Sequence, residues 1–541
     1  MNRTRAAALF AAVLSIGVLY AGLRLGAMVA GGADSYGYVS QAGLWQQGLP
    51  IVRQSVVRQS PWPRAAETWA PLGYRASPKL RDAIVPVYAP GLPLLMALLQ
   101  AIAGSCGAFL VVPLCGALTV WLTFMLGRRL FDAPAVTLWG AALVATSPVF
   151  LYQLMNAMSD VPVTAAWMLA LVLAVMGRPL ASGVAMSVAI AIRPNLAPLA
   201  LVLAAWLAMV RGSHEGSFKR HGSGALNLVR FLIGVAPAVL GIGWLNARLY
   251  GSPLTSGYGT TGNLYSLGFV FTNVRRYAAW MMDAETPVVA LAALYFVVPR
   301  LFPPARIPLA RMLLGGSMAV VMLSYLVYQP FGTWWYLRFL LPMWPVMMLL
   351  TAASLDAVAR RLPRPAYQVV IATAAAWLAW HGVRTAADRS AFDLGRGERR
   401  YVDVARFVAA HTEPDAVVLS VQHSGSLRFY AGRLTLRYDL LEPAWLDRAV
   451  EYLQSIGRRP YFVLDEGEGE AFKGLFGASS RLGALDWPPI AMLGSTVAIY
   501  DPIDRKADTS PLAIARTRRR RGSWLCDPPQ VWPALGSVGS R

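Results

Sequence analysis

The chain has 541 residues, of which 56% are hydrophobic and only 14% charged, and its mean hydropathy is +0.46. That composition excludes an ordinary soluble domain, because an interior of this size cannot hide so much apolar surface. The formal net charge of +21 would point to nucleic acid in a soluble protein. Here the basic residues fall mostly in short gaps between apolar runs, where they report membrane topology and contact with anionic lipid. Three cysteines do not make a disulfide framework: Cys106 and Cys115 lie in or beside a predicted span and read as small buried apolar residues, and Cys526 sits in the tail.

The first apolar run, Ala6 to Leu23, follows Arg3 and Arg5. No small-residue cleavage site precedes Gly31 and further spans follow, so the run reads as a retained first helix rather than a signal peptide. Gly107 to Leu126 and Leu228 to Tyr250 likewise approach the roughly 20 residues that a spanning helix needs. Basic clusters occur at Arg3/Arg5, Arg128/Arg129, Arg178, Arg211/Lys219/Arg220/Arg230, Arg300/Arg306/Arg311 and Arg360/Arg361/Arg364. Placing all six on the cytoplasmic side requires an even number of crossings between successive clusters.

Three apolar runs separate Arg5 from Arg128, so one must not cross. Tyr88 to Ala103 is the odd one, because after Pro90 and Pro93 its core is too short, and it reads as an interfacial or re-entrant helix on the periplasmic face. The predicted spans are then 6–28, 107–126, 133–153, 161–176, 180–193, 195–210, 229–250, 286–302, 309–329, 335–357 and 366–383, about eleven in all. The weakest pair flanks Arg193-Pro194. Were it one kinked span, everything after it would invert and Arg211 to Arg230 would lie outside.

This threading predicts an α-helical polytopic membrane module over 1–383 with a long first periplasmic loop at 31–105 and a second loop at 251–285. A small periplasmic α/β domain follows over 384–504, then a basic, solvated tail over 505–541. Within the α/β domain, helix patterns at Tyr401 to His411 and Pro443 to Ile456 alternate with strand patterns at Ala416 to Val421, Leu434 to Tyr438, Tyr461 to Leu464 and Thr496 to Tyr500. Gly467, Gly469 and Gly474 form no phosphate loop. The polar turn Gln422 to Ser426 follows a strand, where α/β sheets place ligands, although an ordinary turn asks for the same residues.

Two acids stand out. Asp34 follows the first span in Gly31-Gly32-Ala33-Asp34-Ser35-Tyr36, and Asp160 lies in Met158-Ser159-Asp160-Val161-Pro162. Either side chain can cap the helix that follows it. Their shared membrane face is also what a catalytic base and a partner carboxylate would require.

The order of motifs resembles the GT-C class of integral-membrane glycosyltransferases, in particular the protein O-mannosyltransferase family (glycosyltransferase family 39) and the bacterial lipid A aminoarabinose transferase group. The matching segments are Ala33-Asp34-Ser35-Tyr36, Tyr88-Ala89-Pro90-Gly91, Gly127-Arg128-Arg129-Leu130-Phe131, Ser159-Asp160-Val161-Pro162, Arg193-Pro194-Asn195 and Trp334 to Pro342. Two departures are Ser35 where the family often has Glu and Ala89 in place of the first Pro of a Tyr-Pro-Pro-Gly segment.

The resemblance implies transfer of a sugar from a polyprenyl-phosphate donor to an envelope glycan, lipid or protein acceptor at the periplasmic face of a bacterial inner membrane. Asp34 would be the base, with Asp160 orienting it or the acceptor. Arg338, Arg193, Lys79, Arg81 and Arg75 would be the candidate cations for the departing phosphate, and Tyr88, Tyr36 and Trp335 would contact substrate. No cofactor is demanded, a divalent cation being the one candidate. Two other classes compete. A flippase would place ionisable groups near the bilayer midplane rather than at span ends. A non-catalytic envelope protein would have no use for about eleven spans.

Overall fold

The computed structural model describes residues 3–48, 50–210, 223–259, 262, 264–505, 510–517 and 526. The basic residues Arg211, Lys219, Arg220 and Arg518 to Arg521 lie outside them. Most elements before residue 389 are apolar helices. Among the described residues four helices are long and apolar enough to cross a membrane: Arg5–Leu25, Ser105–Leu130, Gly224–Tyr250 and Trp334–Ala359. Two bent pairs bring the number to six if each counts as one span. Five shorter apolar helices, Gly91–Ala103, Asp160–Val175, Pro179–Ile192, Pro194–Met209 and Ala310–Leu326, complete the bundle.

The expected eleventh span, 366–383, falls inside a helix of 25 residues, Arg364–Asp388, which is not among those apolar enough by that measure. It nevertheless exposes Val369, Val370, Trp377 and Trp380, an outward face suited to lipid.

The bent pairs have local causes. Pro134–Thr146 and Pro148–Leu154 meet at 56°, because Pro148 cannot donate to the preceding turn and Ser147 caps the new helix through Phe150 N at 3.2 Å. The second break follows Glu285, at 115°. The Glu285 carboxylate accepts from Ser147 Oγ and from Trp344 Nε1 at 3.0 Å, so a buried acid holds two helix breaks together. Residues 251–285, expected as a plain loop, contain the helix Val270–Glu285.

Helix directions place the basic residues Arg5, Arg128, Arg129 and Arg306 at one end. Gly22, near the end of the first helix, faces Pro113, near the start of Val111–Leu130. The two helices are therefore antiparallel, and Arg128 and Arg129 share an end with Arg5. Arg306 N donates to Leu130 O at 3.3 Å, joining that cluster to the same end. Asp34, Asp160, Arg193 and Arg338 occupy the opposite end.

Position in the bundle follows burial. The central helix is Trp334–Ala359, with 94% of its apolar window buried, against 28% for the first helix. Gly91–Ala103 has 13 residues, about 20 Å of helix and too short to span upright. It packs beside the helix Ala33–Gln47, which follows the first span.

The first loop is structured. Val52–Arg53, Ala83–Pro86 and Tyr74–Ala76 form an antiparallel sheet with Ala83–Pro86 in the middle. After the last long helix, a six-stranded sheet runs in the order Leu434–Leu436, Val417–Leu419, Pro460–Leu464, Val497–Tyr500, Ala491–Leu493, Leu512–Ala513. Its central strand Pro460–Leu464 is buried at every residue, as expected where both faces are covered. Leu512–Ala513, in the segment read as a solvated tail, pairs in parallel with Ala491 and Met492.

The cysteine reading is corrected. Cys106 and Cys526 form a disulfide across 420 residues, and Cys115 is the free thiol. Pairing at this sequence distance leaves no spacing signal, so a lone tail cysteine beside a span is what the sequence shows.

Candidate active site

Asp34 lies in the first turn of Ala33–Gln47, whose N-cap position is Gly32 with no side-chain cap. The carboxylate is therefore not a helix cap. It accepts from Tyr88 Oη at 2.6 Å and from both terminal nitrogens of Arg338 at 3.2 Å. The Asp34 side chain is 31% exposed and that of Arg338 15%, so solvent or a substrate can still reach the acid. Three distant segments supply this contact: the first turn of Ala33–Gln47, the loop ahead of Gly91–Ala103, and the 3-10 turn Trp334–Met343 that opens the central helix.

Asp160 takes a different partner. It opens the helix Asp160–Val175, again without capping it, and accepts from Arg193 Nη2 at 2.5 Å with only 1% of its side chain exposed. Asp160, expected to orient Asp34 or the acceptor, makes no direct contact with Asp34; the two acids form two separate ion pairs. Ser159 bridges them: its Oγ accepts from Arg193 Nε at 3.0 Å and from Tyr38 Oη at 3.1 Å. The Tyr38 ring lies 4.5 Å from that of Tyr88, tilted by 38°. Arg193 and Arg338 both lie over the Phe339 ring, at 5.7 and 5.2 Å, so one aromatic contacts both guanidiniums.

The remaining candidates divide. Trp335 stacks on Tyr152 at 6.0 Å, and Arg338 lies 5.2 Å over the Tyr336 ring, which puts an aromatic wall beside the Asp34 pair. Arg75 donates to Gly257 O at 3.1 Å and ties the two loops together. Lys79 and Arg81 are exposed, and no side-chain hydrogen bond or ion pair joins either to the Asp34 cluster. Tyr36 is corrected from a substrate contact to a packing residue. It is buried to 1% exposure between Tyr74 and Phe429, at 5.8 and 6.2 Å.

Tyr36 also explains the polar turn at 422–426. A Cβ on Gly425 would overlap the Tyr36 ring, and Ser424 Oγ accepts from Leu72 N at 3.1 Å. The turn docks the sheet domain onto the first loop. Gly425→Ala is expected to lower stability by about 1–3 kcal/mol through overpacking, read by thermal unfolding in nanodiscs. Adding Tyr36→Leu should recover part of the loss.

Sequence reasoning missed Tyr38, Ser159 as a bridge, and Glu398. Glu398 Oε2 accepts from Gly32 N at 3.4 Å, two residues from Asp34. Burial raises its carboxyl above the usual range, and the Arg400 guanidinium opposes the rise. The signal was present: Glu398 precedes the buried positions Tyr401, Val402 and Ala405 on one helix stripe, and an acid on an apolar stripe demands a partner. Among the described residues no three His, Cys, Asp or Glu side chains group closely enough to hold a metal. Asp34 and Asp160 each face a guanidinium instead of one another, so the residues present do not fit the divalent-cation expectation.

A family model for dolichyl-phosphate-mannose-protein mannosyltransferase matches residues 86–240, a stretch holding Tyr88, Asp160 and Arg193. No curated protein matches the chain. The chain is similar to the structure of ArnT from Cupriavidus metallidurans bound to undecaprenyl phosphate, at 14% identity and a TM-score of 0.54 over 86% of this chain and 94% of that one. The apo state of that protein aligns with a TM-score of 0.53 and 14% identity over 91% and 96%. The Archaeoglobus fulgidus oligosaccharyltransferase tethered with an acceptor peptide aligns with a TM-score of 0.52 and 12% identity over 92% of this chain and 74% of that one. With two ion pairs gathered at one end of an apolar helix bundle and these structural likenesses, the chain has the fold of the GT-C integral-membrane glycosyltransferases and resembles the mannosyltransferase family over the matched stretch.

Proposed function

We propose that this protein is a glycosyltransferase that moves a sugar from a polyprenyl-phosphate donor to an acceptor at the periplasmic face of a bacterial inner membrane. The observation that carries the reading is the Asp34 carboxylate, held by Tyr88 and Arg338 and still partly exposed just past the first span. Asp34 takes the proton from an acceptor hydroxyl as its oxygen attacks the anomeric carbon. The bond from that carbon to the phosphate oxygen breaks, and its electron pair leaves with polyprenyl phosphate. Attack opposite the leaving group inverts the carbon.

Arg338 serves the other half of the step. In a site shielded from water, a fixed guanidinium stabilises the growing phosphate charge far more than it would in bulk solvent. Asp160 and Arg193 are buried against each other and act as positioning residues, fixing Ser159, Tyr38 and the Phe339 ring. A buried pair of this kind is costly to break from one side. The aromatic wall of Trp335 and Tyr336 suits a sugar face.

Two observations support the periplasmic side. The basic clusters at Arg5, Arg128, Arg129 and Arg306 share the end opposite Asp34, as the positive-inside rule expects. Cys106 begins the helix segment that ends at those arginines, and its disulfide with Cys526 belongs in an oxidising compartment. The test is the envelope glycan profile of a strain lacking this chain. A glycan missing one sugar is expected and would name both donor sugar and acceptor. A profile identical to the parent's would overturn the proposal.

A further inference from the structure

The helix that carries Asp34 starts on a glycine. Gly32 holds the N-cap position of Ala33–Gln47 and has no side chain to offer the free N–H groups of the first turn. A distant segment supplies an acceptor in its place. Glu398, on the helix Leu394–His411, brings its Oε2 to Gly32 N at 3.4 Å, and the aligned peptide dipoles favour a carboxylate at a helix N-terminus. Asp34 lies two residues further along the chain.

This contact belongs to a clamp on the connector between the first span and the Asp34 helix. Tyr430 Oη accepts from Ala30 N at 2.8 Å. A Cβ on Gly395 would lie 2.8 Å from Leu25 O and 2.9 Å from Gly26 O, so the helix bearing Glu398 runs close against the connector's start. A Cβ on Gly31 would overlap both Glu398 Oε2 and the Tyr401 ring, which explains a glycine at that position.

The clamp is braced from behind. Arg400 donates to Tyr401 Oη at 3.2 Å and lies 4.8 Å over its ring, and its charge also acts on Glu398. Asp465 pairs with Arg400 at 3.3 Å and faces His423 Nε2 at 3.4 Å. The buried His423 ring lies 4.7 Å from that of Tyr401. Contacts thus run without a gap from the strands of the sheet domain to the backbone just ahead of Asp34.

We propose that Glu398 is a positioning residue for the transfer step, holding Gly32 so that the first turn of Ala33–Gln47 presents the Asp34 carboxylate to Tyr88 and Arg338. The inference rests on Asp34 as the base. Displacing a reacting group by about 1 Å can cost about 100-fold in rate, and a connector freed at one of its holding points shifts the acid by part of that.

The test compares wild type, Glu398→Ala, Glu398→Gln and Gly31→Ala as full chains in nanodiscs, with the labelled polyprenyl-phosphate sugar that the glycan profile names and with rates taken per folded protein. Glu398→Ala is expected to lower kcat about tenfold and to leave the donor KM within about threefold, because the lost contact is to backbone. Glutamine keeps an acceptor for Gly32 N, so Glu398→Gln should recover most of the loss. Gly31→Ala displaces the same carboxylate from the other side and should slow kcat in the same way. Wild-type kcat in Glu398→Ala or in Gly31→Ala overturns the proposal. Glu398→Gln as slow as Glu398→Ala also overturns it and makes Glu398 a proton acceptor instead. Hydrogen exchange over residues 30–38 needs no turnover, and Glu398→Ala is expected to exchange there about tenfold faster; exchange equal to wild type overturns the clamp. A wild type that consumes no donor, with exchange that still responds to Glu398→Ala, supports the clamp and overturns the function it is proposed to serve.

Discussion

Arg338→Gln is expected to lower kcat by about 100- to 1000-fold, the cost of removing one preorganised group that stabilises transition-state charge. Two losses combine. The departing phosphate has no cation beside it, and Asp34 loses the fork that holds it through both terminal nitrogens at 3.2 Å. The fall should appear in kcat more than in KM, because phosphate charge grows as the bond breaks. Arg338→Lys restores the charge but not the two-pronged geometry, so it should recover only part of the rate. The measurement is consumption of a labelled polyprenyl-phosphate sugar by purified protein, with thermal unfolding alongside because Arg338 packs against Tyr336 and Phe339. An Arg338→Gln protein that folds and turns over at the wild-type rate would remove the arginine from the mechanism.

Much of the membrane module was legible because lipid imposes its demands residue by residue. Apolar runs, their lengths and the arginines between them follow directly from the cost of placing charge in hydrocarbon. The same logic singled out Tyr88 to Ala103, and the structure forms a helix of 13 residues there. Asp34, Tyr88 and Arg338 were each named from local motifs, yet their convergence was not. Nothing in the sequence links positions 34 and 338, because an ion pair between loop ends is fixed by the packing of the whole bundle.

The misses have the same origin. Asp160 is expected from its span-end position to orient Asp34 or the acceptor, whereas its direct partner is the guanidinium that the turn at Arg193-Pro194 brings in. The helix break at Ser147-Pro148 lies inside the apolar run 133–153, which hydropathy reads as continuous. Tyr36, expected to contact substrate, is covered by the sheet domain, which no local motif signals. Lys79 and Arg81 carried the right charge but sit exposed on the loop.

The account rests on Asp34 as the base that lets a lipid-borne sugar leave its phosphate. Its most direct test compares wild type with Asp34→Asn in proteoliposomes loaded with labelled polyprenyl-phosphate sugar and supplied with acceptor. Asparagine keeps the size of the side chain and can still contact Tyr88, but it cannot take up the acceptor proton. Wild type is expected to release polyprenyl phosphate, and Asp34→Asn to do so about 100-fold or more slowly while still binding donor. Release by Asp34→Asn at the wild-type rate would contradict the account, as would donor that crosses the bilayer in wild type with its sugar-phosphate bond intact.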